Sequence, residues 1–305
     1  MTGPPEVAGE VWLIANPLAG AGRGARHASL ATKALRDAGI PCRLIHPSST
    51  ADTTRTAAEA VAAGPRAVVA CGGDGTVHAV LQGLIGSDVP LGIVAGGSGD
   101  DIAAGLGFAT GDGDNIATGL VRALGVAPIR LIDVGEVTAD DGTRRYFLGV
   151  LSTGFDSSVN ERANTMSRLG GQRYNIAIVR ELASFTALDY TVDIDGEIHT
   201  GPGMLVSVGN GPRYGGGMRV CPDALSDDGL LDVTWLGAVS KPTFLRVFPS
   251  VFKGTHIHHP AVRTYRGRTF RISAAGQLAY ADGERIGPLP ISISVHAGAL
   301  RVLPA

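Results

Sequence analysis

The chain has 305 residues, of which 44% are hydrophobic and 18% charged, with a formal net charge of −2. Its length fits one large or two ordinary domains, and its apolar content is enough for a core, which excludes a disordered chain. The charge balance lacks the basic surplus of a nucleic-acid binder, so no nucleic-acid partner is expected.

The 44 glycines fall in short runs between apolar segments and read as tight turns and ligand loops. Cys42, Cys71 and Cys221 are odd in number and widely spaced, so they read as free thiols. Residues 1–10 carry neither a basic nor an apolar stretch, and no apolar run is long enough to span a bilayer. A cytoplasmic location is the expectation.

In chain order, Val11 to Ala15 reads as a buried strand, followed by a loop from Asn16 to Gly24 and a helix through Leu30, Ala34 and Leu35 that closes at Gly39. Cys42 to Ile45 is a second strand, and Asp52 to Ala63 a helix with Asp52 as its N-cap. Ala67 to Cys71 and Leu91 to Val94 are the third and fourth strands. Between them Val77, Val80, Leu81, Leu84 and Ile85 mark one face of a helix. This alternation predicts a parallel sheet covered on both faces, with a ligand beyond the carboxyl ends of the strands.

After about Ile129 the pattern shortens to alternating runs. They are Ile129 to Val137, Arg145 to Leu151, Tyr190 to Ile194, Met204 to Val208, Leu230 to Trp235, Thr269 to Ser273 and Ile291 to Val295. Asp141-Gly142 and Asp195-Gly196 supply turn signals. An antiparallel second domain follows, with a helical insert near residues 171–188.

Three glycine-rich loops follow strands. Gly72-Gly73-Asp74-Gly75-Thr76 joins the third strand to its helix, where glycine backbone and a helix start favour phosphate. An aspartate there repels phosphate unless it acts through a metal or a proton, which points to Mg²⁺ chemistry. The first loop in chain order, Asn16-Pro17-Leu18-Ala19-Gly20-Ala21-Gly22-Arg23-Gly24, is neither a dinucleotide fingerprint nor a Walker A loop. The third is Gly96-Gly97-Ser98-Gly99-Asp100-Asp101.

Together these motifs resemble the catalytic domains of diacylglycerol kinases, sphingosine kinases and soluble bacterial lipid kinases. The likeness covers nearly the whole chain. Asn16 to Gly20, Gly72 to Thr76 and Gly97 to Asp101 match three ordered loops, and Asp133 in Ile132-Asp133-Val134-Gly135 matches an aspartate opening the second domain. The resemblance implies a phosphofructokinase-like parallel α/β domain over residues 1–130 and an antiparallel β-sandwich domain over 131–296. A last strand at about 297–305 is expected to return to the first domain.

The implied activity is transfer of the γ-phosphate of ATP to a lipid hydroxyl, with diacylglycerol as the default acceptor. Asn16, Pro17, Leu18, Ala19, Gly20, Gly72, Gly73, Asp74, Gly75, Thr76, Ser98 and Asp101 would bind the nucleotide. Asp74 and Asp133 would hold Mg²⁺ at the interdomain cleft. In the Pro222 to Leu230 segment, the Asp228 carboxylate and the Leu225 and Leu230 carbonyls would hold a structural Mg²⁺. Glu284, in Asp282-Gly283-Glu284, would be the catalytic base, and Asp282 a turn former. Transient peripheral contact with a membrane is implied, and a homodimer is left open.

The chain departs from the family pattern at Ser98, Asp100, Ala104 and Ala21, and Arg23 can reach the space of a lysine found in some members. These departures keep a non-catalytic nucleotide- or lipid-binding relative in view. NAD kinases share Gly-Gly-Asp-Gly-Thr but lack the third loop and the late Asp-Gly-Glu. His256, His258 and His259 lack ligand spacing and read as an exposed loop. Gly215-Gly216-Gly217 reads as a backbone turn.

Overall fold

The computed structural model describes residues 9–125, 128–165, 180–181 and 184–305. Residues 1–8, and 171–179 and 182–183 of the expected helical insert, lie outside them. The chain divides into two compact units, one of Met1–Ile132 with Gly298–Ala305 and one of Asp133–Ala297.

The first unit runs β1 (Val11–Ala15), α1 (Arg23–Asp37), β2 (Cys42–Ile45), α2 (Thr50–Ala63), β3 (Ala67–Gly72), α3 (Asp74–Leu84), β4 (Leu91–Ala95), α4 (Asp101–Gly105) and α5 (Gly113–Gly125). Its strands are parallel in the order β2-β1-β3-β4. Beside β4 lies the end of the chain, through Val302 opposite Leu91. Val11, Leu13, Val68, Val69 and Leu91 are fully buried, as strands covered on both faces must be.

Because β1 leads to β2 on one side and β3 leads to β4 on the other, right-handed crossovers put α1 and α3 on opposite faces. α1 packs with α5, and α2 with α3. The α2–α3 contact is close because Gly83 faces the Thr54 carbonyl, where a β-carbon would come within 2.5 Å.

The structure corrects two sequence expectations here. Ser49, not Asp52, caps α2, its hydroxyl accepting the Asp52 N–H, while the Asp52 carboxylate accepts the Ser48 N–H at 2.8 Å. The first loop is also shorter than expected. A 3₁₀ turn at Ala19–Gly22 feeds α1 directly at Arg23.

The second unit contains β5 (Arg130–Ala139), β6 (Arg144–Phe147), β7 (Val150–Gly154), α6 (Phe155–Thr165), β8 (Leu188–Ile194), β9 (Glu197–Gly209), β10 (Leu231–Gly237), α7 (Lys241–Val247), β11 (Val262–Gly267), β12 (Thr269–Ser273), β13 (Leu278–Ala281), β14 (Glu284–Pro288) and β15 (Ile291–Val302). β5 begins and β15 ends in the first unit. The pairings given for β6 to β14 are all antiparallel. β9 changes partner along its length, pairing β8 up to Gly203 and β7 from Leu205. Such a switch lets one strand serve two sheets, the corner of a sandwich. The core between them holds Phe147, Tyr190, Val206, Val233, Trp235 and Ile272.

The run Arg145 to Leu151, expected as one strand, is β6 and β7, broken at Leu148-Gly149. β11, β13 and β14 lie outside the expected runs. The fold class is as expected, a parallel α/β part followed by an antiparallel β-sandwich part.

Candidate active site

In an open parallel sheet the crevice forms where neighbouring strands send their connections opposite ways. Here that point lies between β1 and β3, and the loops after them flank it. Asn16 N–H donates to the Cys71 carbonyl at 3.0 Å, and Gly96 N–H to the Gly72 carbonyl at 2.9 Å. The three glycine loops pack backbone against backbone. A β-carbon on Gly73 would lie 2.9 Å from the Gly97 Cα, and one on Gly96 2.8 Å from the Gly24 Cα. Gly20, Gly72, Gly73, Gly75 and Thr76 belong to this cluster, with Thr76 buried in the first turn of α3.

Asn16 folds its own loop, its Oδ1 accepting the Leu18 N–H at 3.0 Å. Pro17 and Ala19 flank Leu18, which is exposed. Ser98 is exposed and Asp101 buried. Arg23 donates to the Gly97 carbonyl through Nη2 and to the Gly20 carbonyl at 3.3 Å through Nε, while remaining solvent-exposed. It ties the first loop to the third and places a cation at the cluster. His27, which sequence reading passed over, is buried and donates Nδ1–H to the Ala95 carbonyl at 2.6 Å.

Asp74 has a task that was illegible in the sequence. Its Oδ1 accepts the Ile102 N–H at 2.9 Å and its Oδ2 the Asp101 N–H at 3.2 Å. The carboxylate thus caps α4 from another loop, and the N-terminal N–H groups offset its charge. Asp100 turns inward as well. It is left-handed (φ 56°) and buried, and its Oδ1 accepts the Gly97 N–H at 2.7 Å. Burial pushes its carboxyl up, while the Gly97 and Gly96 N–H groups and Arg23 oppose the shift. The charge that departs from the family pattern is therefore spent on its own turn.

In the second unit a hydrogen-bonded chain links two sequence candidates, Asp133 and Asp282. Buried Asp133 accepts the Gly229 N–H through Oδ2 at 2.6 Å, and its own N–H donates to the Ser226 carbonyl. Asn210 donates to the Asp133 carbonyl at 2.9 Å and the Leu148 carbonyl at 3.1 Å. Asp282 then accepts the Leu148 and Gly149 N–H groups at 3.0 and 2.8 Å. Asp282 and Gly283 form the left-handed turn between β13 and β14 (φ 52° and 84°), and Glu284 opens β14, exposed to solvent. Asn210 is fully buried, and its Oδ1 has no partner among the described residues. Sequence reading missed Asn210 because Asn-Gly after a strand looks like a plain turn.

The Pro222 to Leu230 loop offers only oxygen donors, which suit Mg²⁺. Asp228 Oδ1 accepts the Leu230 N–H at 3.1 Å, and its Oδ2 pairs with Arg266, whose Nε also meets Asp232 at 3.2 Å. A carboxylate has room for further acceptor contacts. The donor set therefore fits a cation, with the guanidinium as its competitor. Leu225 is exposed. Among the described residues no group of three His, Cys, Asp or Glu side chains could hold a metal.

An apolar cavity lies wholly in the second unit. Leu205, Leu236, Phe244, Val247, Phe248 and Val251 form much of its wall. Asp156, Tyr214, Thr234 and His256 are its polar members. The Tyr214 hydroxyl donates to Asp156, and burial pushes the Asp156 carboxyl up to about 6 against that bond. Gly215, Gly216 and Gly217 are all left-handed and return Met218 to pair with Tyr214. His256 is 7% exposed, so the expected exposed histidine loop is corrected at that residue. Its imidazole packs inward because the Val220 carbonyl holds it. No helix among the described residues is long and apolar enough to cross a membrane.

Comparison with known proteins matches residues 10–137 to the family profile described as the diacylglycerol kinase catalytic domain. Residues 149–304 match the YegS C-terminal NAD kinase beta sandwich-like domain. A protein named diacylglycerol kinase from Mycobacterium tuberculosis is 38% identical over 297 residues, covering 97% of this chain and 95% of that one. One from Bacillus subtilis is 27% identical, covering 91% and 90%. A crystal structure of a diacylglycerol kinase from Bacillus anthracis superposes with a TM-score of 0.72 at 19% identity, covering 97% of each chain, a likeness of fold.

Proposed function

We propose that this chain, which belongs to the diacylglycerol kinase family and is a lipid kinase, moves the γ-phosphate of ATP onto the hydroxyl of a diacylglycerol-like lipid. The observation that carries the nucleotide half is the joined loop cluster beyond β1, β3 and β4. Asn16 to Gly20, Gly72 to Thr76, Ser98 and Asp101 form the glycine-rich loops that receive the phosphates, where the backbone can approach them closely. Arg23 adds a cation where charge develops during transfer. Asp74, in the first unit, and Asp133, in the second, are each a candidate carboxylate for the Mg²⁺ that accompanies ATP, an ion that would supply charge neutralisation on the phosphoryl oxygens. The Leu225 and Leu230 carbonyls and the Asp228 carboxylate would hold a second, structural ion in competition with Arg266.

The lipid half rests on the apolar cavity of the second unit, whose walls suit acyl chains. Beside it, the helical segment from Lys241 to Lys253 exposes Leu245 and Phe252 together with Lys241, Arg246 and Lys253. Apolar residues set among cations favour an anionic membrane surface, so the enzyme meets its substrate by peripheral contact from the cytoplasm. The acceptor oxygen attacks the γ-phosphorus, the bond to ADP breaks, and Glu284 takes the hydroxyl proton.

The test uses ATP labelled at the γ-phosphate, with diacylglycerol in mixed micelles. Label should enter the organic-soluble phospholipid with Mg²⁺ and fail to do so in EDTA. Label confined to water-soluble products would overturn the lipid acceptor. Equal transfer in EDTA would remove Asp74 and Asp133 as metal ligands.

A further inference from the structure

The strand that Glu284 opens is an edge. β14 pairs with β13, at the end of the sheet, and the register of that pairing shifts between Ala279 and Tyr280. An edge strand is bonded on one side only, and a register shift loosens the ladder further. Asp282 fastens the turn before Glu284. The strand that follows Glu284 needs a hold of its own.

That hold comes from α6. Tyr280 and Arg285 stand opposite each other across the hairpin, one pair in from Ala281 and Glu284. The Tyr280 hydroxyl and the Arg285 Nε both donate to Oε1 of Glu161, the second at 3.0 Å. One carboxylate oxygen thus ties both arms of the hairpin to one helix. Successive strand residues point to opposite faces, so Glu161 grips β14 through Arg285 and leaves the face of Glu284 open. The helix is itself anchored. Phe155 is 1% exposed and packs edge-to-face on Phe244, with ring centroids 4.8 Å apart. The Ser157 hydroxyl donates to the Gly154 carbonyl at 2.9 Å.

We infer that Glu161 is a positioning residue for phosphoryl transfer: it fixes where the Glu284 carboxylate stands and so sets the reach of the base to the acceptor hydroxyl. The inference rests on reading Glu284 as the base. The Arg285–Glu161 pair is open to solvent, with side chains 56% and 43% exposed, and such pairs add little to stability. Position is more demanding, because a reacting group displaced by about 1 Å can lose on the order of 10²-fold in rate. The same helix borders the apolar cavity through Asp156 in its first turn. The proposed base therefore hangs from an element of the cavity wall.

Steady-state kinetics of the full chain, on ATP and diacylglycerol in mixed micelles, test this together with melting curves. Glu161→Ala removes the shared acceptor. Turnover should fall by about tenfold or more, while KM for ATP stays within about twofold. The melting temperature should move by less than about 4 °C. Glu161→Gln keeps an Oε1 acceptor in place and should recover most of the lost turnover. If the Ala variant unfolds, Glu161→Asp takes its place, since it keeps the charge but falls one methylene short, and it should lose turnover in the same way. The change is then repeated in Glu284→Gln. With the base already gone there is nothing left to position, so the second substitution should cost less than about twofold further.

Near-normal turnover in the folded Ala or Asp variant would overturn the inference. So would a Glu161→Gln no better than Glu161→Ala, or a loss in the Glu284→Gln background as large as in the parent. Each of these, with turnover low in Glu284→Gln, leaves the base reading standing. Near-normal turnover in Glu284→Gln alone, with Glu161 untouched, would overturn the base reading, and the inference with it.

Discussion

Asp156 stands in the first turn of α6 against a largely apolar cavity, and burial pushes its carboxyl up to about 6 while the Tyr214 hydroxyl pulls it down. The folded state therefore holds this proton more tightly than the unfolded state, whose value is near 3.8. The stability tied to the protonated form is complete below about pH 4 and is lost as pH rises through 6. Asp156→Asn imitates the neutral form at every pH. It should melt like the parent near pH 4 and be the more stable protein at pH 8, by on the order of 2–3 kcal/mol. His256 shifts the opposite way but is common to both proteins, so it cancels in the comparison. Denaturant melts at the two pH values measure the difference, and a gap that does not change with pH would assign the effect to the Tyr214 hydrogen bond. Neither role was legible from sequence. Asp156 follows the mixed run Val150–Phe155 like any surface carboxylate, and only the cavity behind it makes its charge costly. Asp74 was legible as a conspicuous residue, but its work as the cap of α4 depends on Asp101 and Ile102, which another loop brings to it.

The glycine loops were the most legible elements, because close backbone approach leaves a compositional trace. The reason for that approach is visible only in three dimensions, where Gly97 lies against Gly73 and Gly96 against Gly24. Gly97→Ala should push the third loop off the second, lowering stability by about 1–3 kcal/mol and weakening ATP binding at least tenfold. Gly119→Ala is the matching control, since that glycine lies in α5 with nothing near its absent β-carbon. There alanine should stabilise by about 0.5–1 kcal/mol. Thermal melts and nucleotide titrations of the two variants measure both effects, and equal behaviour would mean the loops do not depend on their contact. The second unit was less legible. β13 and β14 are short, four and five residues, and offer little periodicity. β9 runs through Gly201-Pro202-Gly203, a run that reads as loop. The break between β6 and β7 is held by Asp282, more than a hundred residues away along the chain, which no local pattern can announce.

Across the whole molecule the two units divide the proposed chemistry, and that division yields a separable test. The loops proposed for ATP belong to the first unit, whereas Glu284 opens β14 in the second. Its carboxylate is exposed, with no hydrogen bond or ion pair among the described residues, so it is available to accept a proton. Its hairpin is well held. Asp282 fastens the turn to Leu148 and Gly149, Asn210 fastens Leu148 to Asp133, and the Arg285 Nε donates to Glu161 on α6 at 3.0 Å. An alcohol is a weak acid, so its proton must leave as the new phosphorus–oxygen bond forms, and a positioned base typically contributes ~10²–10⁴-fold. Glu284→Gln keeps the shape of the side chain and removes its basicity. Turnover should fall by roughly that factor while ATP affinity stays near that of the parent, because nothing in the nucleotide loops has changed. Asn210→Ala provides the contrast. It removes the link between Asp133 and the turn at Leu148, so it should lower both turnover and melting temperature, whereas Glu284→Gln lowers turnover alone. Steady-state kinetics, nucleotide titration and melting curves on the two variants separate these outcomes. Near-normal turnover in Glu284→Gln would pass the base role to Asp74, and a loss of ATP affinity would make Glu284 part of the nucleotide or metal site instead.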